Sequence, residues 1–293
     1  MLYILQILRY YALEVRHLQK KTQLFDPRQT MHREDFEIFH YHDAKMEEVP
    51  LHHHDFYEVY SFLSGKVEYL VEGISYTLFP GDLLLIGPMD LHRPLVAPGE
   101  AYERIVLWIN AEYLDSLLPT GALRACFESG QSLYHSAHTP VPQLMLRLAA
   151  EFSELSPDSE LSVKGLFLQL MGELLRLRAS TGENADEHAS SPPLVREVLH
   201  YISENYREEM SLESLAARFY VSKYHLSHQF SSAVGVSVYR YILLKRLQNA
   251  KQRLSEGESP GDVCRGCGFQ DYTNFYRAFR QVYGRSPMDA QGR

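Results

Sequence analysis

Between Glu37 and about Asn110 the apolar residues fall into short runs: EIFHYHD, YEVYSFLSG, KVEYLVEG, ISYTLFPGD, DLLLIGP and ERIVLWIN. Gly, Pro and Asp separate them. Runs of this length, rich in β-branched and aromatic side chains, predict strands. So many placed so closely predict a small β-barrel or sandwich. After them the period lengthens. Gln143 to Leu155 sets Leu144, Leu148 and Phe152 on one stripe. Leu161 to Leu177 carries Leu166, Leu168, Leu170, Leu174, Leu175 and Leu177. Both spacings predict helices. The second helix is apolar on more than one side, which suits either packing inside its own domain or a seam with a second copy. The stretch ASTGENADEHASSPP, Ala179 to Pro193, is small, polar and proline-terminated and predicts a linker.

The last hundred residues repeat one pattern twice. Ser211 to Gly235 and Ser259 to Gly284 each contain a short amphipathic helix, a tight turn, a capping residue and a second helix closed by glycine. In the first copy Leu212, Leu215, Ala216 and Phe219 face a core, Tyr220 and Val221 turn, Ser222 caps, and Leu226, Phe230 and Ala233 are buried. Lys223, Tyr224, Ser227 and His228 then point outward. In the second, Val263, Cys264 and Cys267 pack inward, Gly268 and Phe269 turn, Asp271 caps, and Phe275 and Phe279 are buried. Tyr272, Thr273, Tyr276 and Arg277 face out. Each copy reads as a helix-turn-helix, which offers one helix to one DNA major groove. The helical pattern between them, Val238 to Leu254, covers 17 residues. At 1.5 Å per residue it spans about 25 Å, a strut near the groove repeat. Lys245, Arg246, Lys251 and Arg253 on it are candidate phosphate contacts, although any one of them suits a solvated face equally well.

Charge changes the picture in one respect. The net charge of −8 opposes nucleic-acid binding. The distribution reverses this. Residues 192–293 hold 14 Lys and Arg against 10 Asp and Glu, and the remainder holds 15 against 27. An acidic body with a basic tail domain suits a DNA reader. Met1 to Leu8 is too short to cross a bilayer and lacks the features of a secretory signal, so a cytoplasmic protein is expected. Three cysteines exclude a disulfide framework. The lone pair in CRGCG, Cys264 and Cys267, predicts buried small residues rather than a metal site.

The second copy's Gly268, Phe269, Phe275, Phe279, Gly284, Ser286 and Pro287, in a double unit covering Leu194 to Pro287, resemble the AraC/XylS family of bacterial transcription regulators. The resemblance implies a two-domain α+β chain: a cupin-like β-barrel with trailing helices, then an all-α double helix-turn-helix. The expected boundaries are an N-terminal extension over 1–30, an effector-binding and dimerisation domain over 31–178, a linker over 179–193 and the DNA-binding domain over 194–293. The extension is expected to be an accessory helix or upstream sequence. By position, the family's base-reading set falls on Tyr224, Ser227, His228, Tyr272, Thr273, Tyr276 and Arg277. His228 stands where an arginine is common, and SPMDAQGR lacks the usual Tyr-Arg. The implied partners are double-stranded DNA, a small-molecule effector such as a sugar, a second copy of the chain, and RNA polymerase, with no membrane.

The β-rich half also resembles both cupin motifs. His52, His54, Glu58 and Gly65 form one, and Pro80, Gly81, Asp82 and His92 the other. Residues two apart share a strand face, so His52, His54, Glu58 and Tyr60 can converge while His53 faces away to the surface. These residues and His92 are the expected effector contacts. His52, His54, Glu58 and His92 would also suit a divalent transition metal. Tyr57, Tyr60, Tyr69, Tyr76 and Trp108 are numerous enough to line a sugar-sized pocket. Two readings of different class follow. One is an effector-responsive transcription activator without enzymatic activity. The alternative is a metal-dependent cupin enzyme fused to a DNA-binding domain.

Overall fold

The computed structural model describes residues 22–46, 48–97, 99–128, 132–154, 156–180 and 192–291. The chain divides into two compact units: a β-rich one that takes the described residues up to 180 apart from Glu72–Ser75, and a helical one that takes Glu72–Ser75 and residues 192–291.

In the first unit eight strands make two antiparallel sheets. They are β1 (Phe36–Asp43), β2 (Tyr57–Ser64), β3 (Val67–Val71), β4 (Ile74–Thr77), β5 (Asp82–Ile86), β6 (His92–Val96), β7 (Tyr102–Ile109) and β8 (Leu133–His135). One sheet runs β1-β7-β2-β5-β8 and the other β4-β3-β6. The expected runs recur as β1 to β5 and β7. The sequence reading missed β6 and β8. Pro94 disguises β6 because proline cannot donate to a ladder, and β6 lies at the sheet edge where this is tolerated.

Four helices follow within this unit: α1 (Ala111–Leu117), α2 (Ala122–Phe127), α3 (Val141–Phe152) and α4 (Pro157–Ser180). The last reaches two residues into the expected linker, whose residues 181–191 lie outside the described residues. Alternation along the larger sheet separates its two faces. Phe36, Ile38, Val59, Leu85, Ile105 and Leu107 pack with Leu144 and Leu148 of α3 and with Phe167 and Leu170 of α4. The Phe36 and Phe167 rings stack 4.2 Å apart. Glu58, Tyr60, Tyr102, Arg104 and Trp108, one position out of phase, face a cavity instead. Both faces are covered, so β2 reads as a nearly continuous apolar run rather than a clean alternation.

The second unit contains α5 (Pro193–Asn205), α6 (Leu212–Arg218), α7 (Lys223–Val234), α8 (Val238–Ser255), α9 (Pro260–Gly266) and α10 (Tyr272–Tyr283). Capping fixes the repeated pattern. The hydroxyl of Ser222 accepts from His225 N at 3.2 Å, and the carboxylate of Asp271 accepts from Asn274 N at 2.8 Å. The left-handed Gly235 and Gly284 close the same two helices. Gly268 turns the second copy at φ +81°, where a Cβ would lie 2.5 Å from the Arg207 carbonyl oxygen. No other residue fits there without moving backbone. Val234 takes the deepest position expected of Ala233, which is half-buried.

Candidate ligand pocket and nucleic-acid interface

Three histidines and a carboxylate converge at one end of the barrel cavity. A backbone bridge joins His52 to His92, with His52 N donating to His92 O at 3.2 Å and His92 N to His52 O at 2.9 Å. Met89 N donates to His54 O at 2.6 Å. Met89 holds φ +70°, a left-handed conformation that few residues other than glycine adopt. These three bonds tie the 52–54 segment to the entry of β6. The His52 and His92 ring centroids are 4.3 Å apart, and those of His54 and His92 4.8 Å.

Each imidazole is fixed in the same tautomer. Nδ1–H donates to the Pro50 carbonyl from His52 (2.9 Å), to that of Phe56 from His54 (2.9 Å) and to that of Asp90 from His92 (2.7 Å). The Nε2 lone pairs are therefore left for the interior. His54 Nε2 lies 3.2 Å from Glu58 Oε2, which also accepts from Trp108 Nε1–H at 2.9 Å. Tyr69 OH donates to Glu58 Oε1 at 3.4 Å. One ligand atom each from His54, Glu58 and His92 lies within 4.8 Å of the others, and all three residues are buried. Burial lowers the His52 pKa and, reinforced by the neighbouring imidazoles, holds His92 well below the ordinary histidine value.

The cavity beside this cluster measures about 330 Å³ and is lined by His52, Glu58, Tyr60, Tyr69, Tyr102, Arg104 and Trp108, among others. Tyr60 and Tyr102 hydroxyls bond to each other. Burial raises the Tyr60, Tyr69 and Tyr102 phenols, so all three remain neutral donors. Arg104 is 2% exposed, pairs with Asp43, and has its guanidinium carbon 4.4 Å from the Tyr102 ring centroid and 4.7 Å from that of Tyr41. Its Nη2 has no hydrogen-bond partner. Leu24, Phe25, Pro27, Arg28 and Gln29 also border the cavity. This described part of the expected N-terminal extension is not helical, and residues 1–21 lie outside the described residues. A larger cleft of about 900 Å³, lined by Val67, Leu78, Pro94 and Val96 among others, includes none of the three histidines.

Of the expected site residues, the structure brings together His52, His54, Glu58, Tyr60 and His92. Of the five aromatics singled out, Tyr60, Tyr69 and Trp108 border the cavity and two do not. Tyr57 lies in the helix-facing core, out of phase with Glu58, and Tyr76 is buried without bordering the cavity. His53 is also not a surface residue, being 7% exposed. Sequence reasoning missed Tyr102 and Arg104. Counting back in twos from Trp108 along one strand would have found both.

In the helical unit the seven expected base-reading residues lie on the outer faces of α7 and α10. Tyr224, His228, Tyr272, Thr273 and Arg277 are exposed, and Ser227 and Tyr276 are half-buried. Arg277 forms no ion pair among the described residues. The Leu226–Phe230 and Phe275–Phe279 stripes beneath are fully buried, which fixes each helix's outward face.

The strut α8 runs 18 residues, about 27 Å at 1.5 Å each. Its cations are already engaged. Lys245 is 8% exposed. Arg246 donates to the Tyr206 and Glu208 carbonyls at 2.7 Å each. Arg253 forms a two-pronged pair with Glu258 at 2.8 and 2.6 Å, and Lys251 Nζ lies 5.3 Å from the Tyr283 ring centroid. These contacts give Arg246, Lys251 and Arg253 a structural role. Arg246→Ala should lower the thermal midpoint and leave the salt slope of DNA binding unchanged; a slope reduced by about one would assign it to a phosphate. Cys264 and Cys267 are buried beside Phe275 and Phe279, and burial raises both thiols. They belong to the core, as expected.

Residues 36–171 match the family described as an AraC-like ligand binding domain, and residues 215–293 match a helix-turn-helix domain. The chain is 29% identical over 251 residues to the HTH-type transcriptional activator RhaS of Escherichia coli, covering 83% of this chain and 88% of that protein. Among solved structures, ToxT of Vibrio cholerae with a bound unsaturated fatty acid aligns at 12% identity and TM-score 0.39, over 89% of this chain and 96% of its own. The C-terminal domain of the response regulator AraT of Geobacillus stearothermophilus aligns at 26% identity and TM-score 0.34, over 35% and 87%.

Proposed function

Because the chain belongs to the AraC family of transcriptional regulators, we propose that it works as a homodimeric, cytoplasmic activator whose barrel cavity takes a sugar-sized polyhydroxylated effector. DNA binding and effector response come with the family. The finer assignments rest on particular residues. A wall combining a buried carboxylate, three neutral phenols and an unused guanidinium donor supplies both acceptors and donors, which suits a ligand bearing several hydroxyls. The outward side chains of α7 and α10 supply the base contacts, with Arg277 suited to bidentate bonding of a guanine. Activation makes RNA polymerase the second macromolecular partner. Among the described residues no helix is long and apolar enough to cross a membrane.

The observation that carries the reading is the pair of capped helices with solvent-facing polar side chains over sealed cores. The homodimer rests on α4. Leu161 and Leu168 are 79% and 53% exposed, and Leu175, seven residues on, is half-buried. Gly165 and Gly172 lie between them at the same seven-residue spacing. A Cβ at Gly165 would meet nothing within 4 Å, and one at Gly172 only the Arg176 guanidinium at 3.9 Å. Mid-helix glycine costs about 1 kcal/mol relative to alanine, and close packing within the chain does not account for it. A second α4 does, because glycines admit its leucines at heptad spacing. Charge selects the antiparallel arrangement. Glu160 and Lys164 occupy the first half of the helix and Glu173 and Arg176 the second, so a two-fold pair sets opposite signs against each other.

Titrating the full chain with a panel of pentoses, hexoses and their acids tests the effector assignment. One member should raise the thermal midpoint and change operator affinity in step. Turnover of a panel member would favour the cupin-enzyme alternative, and no response to any member would contradict the effector class.

A further inference from the structure

We propose that His54, Glu58 and His92, joined by His52, hold a divalent transition metal in the effector cavity. The inference rests on reading that cavity as the sensing site. Four acceptor groups converge there with too few donors. All three Nδ1 atoms are engaged with backbone carbonyls, so Nε2 is the atom each ring turns toward the cluster. His92 Nε2 is buried with no hydrogen-bond partner. His54 Nε2 lies 3.2 Å from Glu58 Oε2, and ligand atoms of His54, Glu58 and His92 all lie within 4.8 Å of one another. A buried acceptor without a partner is destabilised by the hydration it has lost.

A single proton between His54 and Glu58 relieves that contact and leaves His92 unsatisfied. A cation with borderline affinity for imidazole and carboxylate serves the whole group, and zinc, nickel, cobalt and manganese fit that donor set. The surrounding bonds are those a metal site needs. Nδ1–carbonyl bonds fix ring orientation, while Trp108 Nε1–H at 2.9 Å and Tyr69 OH at 3.4 Å orient the carboxylate. The positive-φ Met89 and the His52–His92 bridge hold the two ligand-bearing segments together. The cluster also borders the cavity through His52 and Glu58, so a ligand entering there meets the metal together with the tyrosine hydroxyls.

The test uses the full chain, stripped with chelator and titrated calorimetrically with zinc, nickel, manganese or cobalt chloride. The cobalt sample is also followed by its visible absorption. The expected result is one metal per chain, with His92→Ala and Glu58→Gln each weakening binding at least 100-fold. Trp108→Phe, which removes the donor to Glu58 and keeps an aromatic ring in its place, should weaken it about 10- to 100-fold, as other changes around a ligand do. Unchanged near-ultraviolet circular dichroism of the metal-free His92→Ala and Glu58→Gln chains separates ligand loss from misfolding; for Trp108→Phe, which removes the chain's one tryptophan, an unchanged far-ultraviolet spectrum does so. Should the alanine variant misfold, Trp108→Phe and the cobalt spectrum decide. Failure of every metal to bind stoichiometrically, or binding indifferent to these variants, overturns the proposal. Neither effector nor DNA enters the titration, so its failure is distinguishable from failure of the sensing role.

Discussion

Replacing Leu161 and Leu168 together by glutamate should leave the protein folded but monomeric, and should lower its affinity for a paired operator by about 10²- to 10⁴-fold. That range is what tethering two readers contributes when both sites are engaged at once. Both side chains are more than half exposed, so the substitution removes no buried contact from the first unit. Across the antiparallel seam the carboxylate introduced at 168 would instead meet its own symmetry mate, and the one introduced at 161 would meet the apolar side chain of Leu175 in the second copy. Sedimentation at several concentrations measures the assembly, and titration of one half-site against two measures the tether. A wild-type chain that sediments as a monomer would contradict the α4 seam, as would a variant that remains dimeric.

Arg277→Ala should lower specific binding by about 1–3 kcal/mol, roughly 5- to 150-fold, and relax preference at a single base position. The loss should fall on the cognate sequence and spare random DNA, because a base contact discriminates while a phosphate contact does not. Arg277 is exposed on a helix whose opposite face is sealed by Phe275 and Phe279, so the fold should survive the change. His228 at the outer face of α7 lacks a comparable fork of donors, and His228→Ala should have the smaller effect. The two copies of the repeat are therefore unequal readers. Equal loss on specific and random DNA would assign Arg277 to the backbone.

Much of the DNA-reading half is legible in the sequence because its signals are local. Ser222, Asp271, Gly235 and Gly284 each act within one turn of chain, and the buried stripes repeat at helical spacing. The barrel is harder because its site forms by long-range pairing. Parity along one stretch anticipates His52, His54, Glu58 and Tyr60 together. No local signal ties His92 to His52; that bridge depends on pairing with β6, which Pro94 hides. Tyr102 and Arg104 escape notice for a related reason. Their strand is buried on both faces along most of its length, so only its parity with Trp108 marks which side is the cavity. The strut misleads in the opposite direction. Its Lys245, Arg246, Lys251 and Arg253 read as a solvated or phosphate-facing row, whereas the fold draws the last three onto carbonyls, a carboxylate and an aromatic ring. Side chains of that length reach partners that periodicity cannot predict.

The central claim is that this chain reads DNA sequence through two helices of unequal weight. Selection of bound DNA from a random duplex library by the full chain tests it directly. The expected outcome is an enriched motif with two blocks about one helical turn apart, 10–10.5 base pairs centre to centre. The more sharply defined block should contain guanine and lose its preference in Arg277→Ala. Enrichment no better than random, or a single block unaffected by that substitution, would contradict the account.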